Sequence, residues 1–304
     1  MSLRAKASWI VATRGRRAAL WVVGTFVLLE AVTRRFISAP LDILRPVADP
    51  EVVFALKPGA YTSDGYLTRH PEVTYTIPAD GCRRWGRASP DGRPALLALG
   101  SSLAFGVGVS VEQNFAHRVW SAMRLQGQGV NCAVPGHHLL QTLRAASDGA
   151  ARERPRLIVA LVHPTHVRAV FDWSRLTPSN PALRFAVQHA RLARLGYVVY
   201  LLKSTHDFRM PYESPARLRA AIARAGAAAR AHGARAAFFS IGEVSHPRVD
   251  LAAEFASAGI LWRRLDLPGS KDQYLDGDHW SALGHRNAAD AVVAGFGAEA
   301  QRAR

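Results

Sequence analysis

The sequence predicts an α/β domain in which a parallel sheet is covered on both faces by helices. Two patterns predict it. From Ala95 onward, short and wholly apolar runs alternate with longer stretches of helical periodicity. Unusual polar content also collects in the loops that follow predicted strands, where sites of parallel sheets lie.

The chain opens on an address. Ala18 to Val32 is largely apolar with Glu30 its only charge, is preceded by Arg4, Lys6, Arg14, Arg16 and Arg17, and is followed by Arg34 and Arg35. Basic residues before an apolar segment favour a cytoplasmic N-terminus and an exported body. The stretch is short for a bilayer crossing, and a cleaved signal peptide competes. No small-x-small site follows it, so an uncleaved hydrophobic anchor helix within residues 1–37 is the expectation. The Arg16-Arg17 pair weakly resembles a twin-arginine signal.

Residues 38–93 are rich in Pro, Gly and Asp, with alternating pieces such as Val73 to Ile77, and predict an irregular lead-in with short strands. Residues 94–304 carry the domain. Its expected strands are Ala95 to Leu99, Gly129 to Ala133, Leu157 to Val162, Ala234 to Ile241 and Ile260 to Trp262. Expected helices run from Val111 to Leu125, His138 to Arg152, Ser214 to His232, Val249 to Ser257 and Ser281 to Phe296. Arg168 to Pro215 gives mixed signals, with an amphipathic run from Pro181 to Leu195 that suits core packing, a cover over the site or a membrane surface.

Half of the residues are hydrophobic and a fifth charged, enough for a buried core and too apolar for a disordered chain. The net charge of +16 is dominated by scattered arginine, since only Lys6, Lys57, Lys203 and Lys271 are lysine. Nucleic-acid binding would need clustered basic residues with interleaved aromatics, which are missing, so no nucleic-acid partner is expected. Cys82 and Cys132 have no metal-ligand spacing and no CxxC pairing. Two buried small apolar side chains are expected there, with a disulfide after export as the alternative.

Three strand-end loops hold polar groups: Gly100-Ser101-Ser102, Val134-Pro135-Gly136-His137-His138 and His163-Pro164-Thr165-His166. Near the C-terminus, Asp276-Gly277-Asp278-His279 puts an acid three residues before a histidine. A serine hydroxyl is a poor nucleophile until a histidine takes its proton, and a carboxylate must fix that imidazole's tautomer. These segments contain such a set. By local sequence alone, Gly100-Ser101-Ser102 equally suits a turn with an N-cap serine, and Asp276 to His279 a solvated loop.

From about Val52 onward the chain resembles the SGNH/GDSL hydrolase family. LALGSSLAFGVGVSVEQNF, Leu97 to Phe115, is similar to the family's strand, GDS turn and following helix, with Ser102 in the nucleophile's place and Ser101 where the family has aspartate. NCAVPG, Asn131 to Gly136, is similar to the second block, whose glycine amide donates to the oxyanion. DGDHWSALGHR is similar to the final DxxH block and helix, which puts Asp276 and His279 in the triad and leaves His285 structural. The third block, GxND, aligns with His163 to His166, so Thr165 stands where the family's oxyanion asparagine belongs. The resemblance implies a three-layer, flavodoxin-like fold.

The expected activity is serine-dependent hydrolysis of acyl esters of a cell-envelope glycan or lipid. The expected setting is the extracytoplasmic, periplasmic side of the inner membrane. One rival is an O-acyltransferase acting on an envelope polysaccharide. Another, motivated by the missing asparagine, is a catalytically weak or inactive binding protein. Neither metal nor organic cofactor is expected, because the histidines lack ligand spacing.

Overall fold

The computed structural model describes residues 21–32, 43–47, 51–52, 54–63, 72–167, 212–275 and 279–302. The chain forms two compact units, one of Met1–Pro40 with Ser174–Phe208, the other of Leu41–Trp173 with Arg209–Arg304. Of the first, only residues 21–32 are described; they form a helix, α1, whose apolar side chains, Trp21, Val27 and Leu28 among them, are exposed. Among the described residues no helix is long and apolar enough to cross a membrane, and the expected segment begins before them. The amphipathic run Pro181 to Leu195 also lies outside the described residues.

The second unit begins with two small antiparallel pairs, β1 (Leu44–Pro46) with β2 (Phe54–Leu56) and β3 (Gly59–Ser63) with β4 (Val73–Ile77). The strand β5 (Arg83–Trp85) follows, then β6 (Leu96–Leu99), the short helix α2 (Ser102–Phe105) and α3 (Phe115–Ala122). Next come β7 (Gly129–Asn131), α4 (Leu139–Glu153), β8 (Leu157–Val162) and a 3₁₀ turn at Pro164–Val167. The remainder is α5 (Pro215–Ala231), β9 (Arg235–Ile241), α6 (Leu251–Ser257), β10 (Leu261–Leu265) and α7 (Ala282–Arg302).

One sheet has the order β10-β9-β8-β6-β7-β5, parallel throughout except for the antiparallel edge strand β5. Counting its parallel strands along the chain, the order is 2-1-3-4-5, that of flavodoxin-like sheets. The lead-in therefore belongs to the body that follows it. It supplies an edge strand, and Leu56, Tyr75 and Ile77 join the core.

Strand side chains point alternately to the two faces, and here each face meets its own helices. Leu96, Ala98, Val159 and Leu161 pack with Phe115 and Val119 of α3 and Val292 and Phe296 of α7. Leu97, Leu99, Ile158 and Ala160 pack with Leu143 of α4, Ile222 of α5 and Phe255 of α6. Both faces being dry, β6 and β8 read as unbroken apolar runs. Each such leucine or isoleucine contributes roughly 1.5–3 kcal/mol by leaving water.

Close packing on the second face depends on a glycine. A Cβ on Gly226 of α5 would lie 2.2 Å from the carbonyl oxygen of Ala258, which ends α6, so the helices cannot both stay in place. We predict that Gly226→Ala destabilises the protein by about 1–3 kcal/mol despite alanine's better helix propensity, read as a lower urea midpoint.

Candidate active site

The loop after β6 is shaped by glycine. Gly100 has φ +135°, and a Cβ there would lie 2.7 Å from the Leu161 carbonyl oxygen and 2.8 Å from Ala104 Cβ. Only glycine lets the chain turn this close to β8. Ser101 is buried and Ser102 is half-buried, so of the two hydroxyls Ser102 is the reachable one. Ser102 opens α2, where a backbone N–H has no acceptor within the helix. The helix stops after one turn because Gly106 adopts a left-handed conformation (φ +84°), its N–H donating to the Ser102 carbonyl at 2.9 Å.

Buried amides hold this turn against its neighbours. Asn131 Nδ2 donates to the Ala104 carbonyl at 2.9 Å, and Asn114 Nδ2 donates to the carbonyls of Ala104 and Phe105 at 3.2 and 3.1 Å. Beneath it, the guanidinium of Arg83 lies 4.2 Å from the Phe105 ring centroid. Arg83 is buried, which pushes its pKa down to about 10, with Tyr75 opposing the shift. It remains a cation at neutral pH. Sequence periodicity gives no sign of it, since an arginine beside another, Arg84, on a three-residue edge strand looks like a solvated one.

The second loop is tied to the first by the Val134 N–H, which donates to the Gly100 carbonyl at 3.0 Å. Gly136 has φ +84°, a conformation L side chains rarely adopt, and its N–H has no hydrogen-bond partner among the described residues. Gly136 is exposed. The third loop follows β8. The Thr165 side chain is exposed, and its hydroxyl lies 2.9 Å from His163 Nδ1, a nitrogen that also accepts from the Thr165 N–H at 3.4 Å. Because β6 lies between β7 and β8, the Ser102 loop is flanked on either side by those of Gly136 and Thr165.

His279 is half-buried on the segment before α7. That segment is clamped by Leu275 N–H to the His279 carbonyl and Ser281 N–H to the Gln273 carbonyl, both at 2.7 Å, and is plugged by the fully buried Trp280. The helix that follows, α7, is tied to the start of α3 through His285, whose Nδ1 accepts from the Phe115 N–H at 3.2 Å. Asp276, the expected carboxylate, lies outside the described residues.

Burial first, then Arg83, Arg118 and His279, brings the His285 pKa down from 6.5 to about 3. A folded-state pKa below the unfolded value means that protons favour unfolding: this residue's contribution is full above pH 6.5 and is lost as pH falls toward 3. The slope is up to about 1.4 kcal/mol per pH unit. His285→Asn keeps an acceptor for Phe115 without a titrating ring. We predict that the urea midpoint of the wild type falls as pH drops below the ordinary histidine pKa and that this variant flattens the fall.

The two cysteines form a disulfide, Cys82–Cys132, joining the residue before β5 to the residue after β7. The expectation of separate buried thiols is thereby corrected. The antiparallel pairing of Arg83 with Asn131 brings the neighbouring cysteines face to face, a proximity that spacing of 50 residues in sequence cannot reveal. Among the described residues no three His, Cys, Asp or Glu side chains are arranged to hold a metal ion.

No family model matches the chain, and no curated protein matches it either. Solved structures that resemble it include TesA, at 16% identity and TM-score 0.40 over 66% of this chain and 97% of that one. The psychrotrophic esterase EstA from Pseudoalteromonas sp. is 11% identical with TM-score 0.41 over 68% and 98%. The acetylxylan esterase Axe2 from Geobacillus stearothermophilus is 10% identical with TM-score 0.39 over 66% and 93%.

Proposed function

We propose that the chain is an SGNH/GDSL-type serine ester hydrolase. The observation that carries this reading is the reachable Ser102 at the carboxyl end of β6, beside the switch point between β6 and β8, with a Gly136 amide on the adjoining loop that has no hydrogen-bond partner among the described residues. Ser102 Oγ attacks the ester carbonyl while His279 takes its proton. Asp276 holds the His279 tautomer, and the Ser102 and Gly136 amides receive the developing oxyanion. His279 then protonates the leaving alcohol. Water, deprotonated by the same histidine, releases the acid and restores Ser102.

The substrate class we assign is an acyl ester of a cell-envelope glycan or lipid, reached from the extracytoplasmic side by a body tethered through the N-terminal apolar segment. Three features support that setting: the basic residues ahead of Ala18, the exposed apolar side chains of α1, and the disulfide, which persists in oxidising compartments. The test is to incubate the purified full chain with a fluorophosphonate probe and with short-chain aryl esters. Covalent phosphonylation at Ser102 together with turnover is expected. A folded protein that takes no label and turns over no ester sinks the reading.

A further inference from the structure

The family's third oxyanion donor, an asparagine, is replaced here by Thr165, and its hydrogen bonds decide whether it can take over the task. His163 Nδ1 accepts from the Thr165 backbone N–H, so that nitrogen carries a lone pair and no proton. The Thr165 hydroxyl, 2.9 Å from the same nitrogen, must then be the donor of that contact. Its single proton is used inward, and its outward lone pairs would repel an oxyanion.

His166, one residue on, has the opposite polarity. The His163 N–H donates to His166 Nδ1 at 3.1 Å, so the Nδ1 lone pair faces the backbone and the ring's proton sits on Nε2. Burial, reinforced by His138, His163 and His137 around it, holds the His166 pKa well below the usual histidine value and keeps the ring in this neutral form. Among the described residues Nε2 has no hydrogen-bond partner.

Its position follows from the topology. The His166 ring stacks on that of His138, centroids 5.3 Å apart and planes 24° from parallel. His138 follows β7 and His166 follows β8, two strands that do not touch because β6 runs between them. His138 opens α4, so the stack joins the two loops that flank that of Ser102. His138 is itself fixed, its N–H donating to Gln141 Oε1 at 2.9 Å.

We infer that the Nε2–H of His166, rather than the hydroxyl of Thr165, is the third hydrogen-bond donor to the oxyanion. The inference rests on the serine ester hydrolase reading above. It makes His166 a catalytic residue of an oxyanion hole whose donor has moved by one position along the 3₁₀ turn.

The test compares kcat, KM and the rate of fluorophosphonate labelling in full-length variants. His166→Asn puts an amide oxygen near Nδ1, where it still accepts from the His163 N–H, and removes the distal donor. It is expected to lower kcat and the labelling rate about 100-fold to 1000-fold with KM little changed. Thr165→Val should stay within a few-fold of wild type. Thr165→Asn in the His166→Asn background, which restores the family's donor, should recover much of the loss and so excludes misfolding as its cause. Near-wild-type kcat in His166→Asn, or a larger loss in Thr165→Val, overturns the inference while the labelled wild type leaves the hydrolase reading standing. A folded wild type that takes no label overturns both.

Discussion

Ser102→Ala is expected to abolish fluorophosphonate labelling and to lower kcat for ester hydrolysis by a factor on the order of 10⁴ to 10⁶, leaving what binding and the oxyanion donors provide on their own. Ser101→Ala is expected to keep labelling and to change kcat only a few-fold. The contrast follows from burial, since Ser101 is 5% exposed while Ser102 opens α2 half-buried beyond the carboxyl end of β6. The fold should survive in both variants, because the turn is held by Gly100, Asn114 and Asn131 rather than by either hydroxyl. Intact-mass analysis of the labelled proteins distinguishes the two serines. Equal loss in Ser101→Ala and Ser102→Ala would mean that the loop, not one nucleophile, is what the chemistry needs.

Loss of the disulfide is the second large effect. Cys82 and Cys132 are 50 residues apart, and closing a loop of that length removes unfolded-chain entropy worth about 4 kcal/mol. The Cys82→Ala/Cys132→Ala double variant should lose stability on that order in urea denaturation. Wild type with reductant should match it, while reductant should leave the variant unchanged. The bond also holds β5, a strand of only three residues, to the residue that begins the run to Gly136. The double variant should therefore lose labelling rate as well as stability, because Gly136 must hold its amide where the oxyanion forms. If reduction leaves the urea midpoint in place, the edge strand is secured by packing instead, with the buried Arg83 as the natural candidate.

Much of the scaffold was legible in the chain. Strand β8 has the bounds expected from its unbroken apolar run, and α5 lies within the expected Ser214 to His232, the two residues that cap it. The helix expected from Val111 to Leu125 is confined to Phe115–Ala122, because Asn114 caps it with an acceptor for the Ala116 N–H. The one-turn helix at Ser102 went unread, since four residues carry no period. β10 extends past Trp262 to Leu265 because pairing with β9 continues beyond the apolar residues that announced it. The place of β5 in the main sheet was illegible for a related reason: partners of a short strand lie far along the chain.

Local sequence thus determined most of the main strands and helices and which loops carry polar groups, since periodicity, caps and glycines act over a few residues, while the family resemblance put Ser102 forward as the candidate nucleophile. The tertiary structure alone decided that the cysteines meet, that Arg83 is buried under Phe105, and that the Thr165 hydroxyl lies 2.9 Å from His163 Nδ1 while His166 Nδ1 accepts from the His163 N–H. Those outcomes depend on strand order and on the direction of single hydrogen bonds between loops. Neither is encoded in spacing, because each is set by which distant segments lie side by side once the sheet has formed.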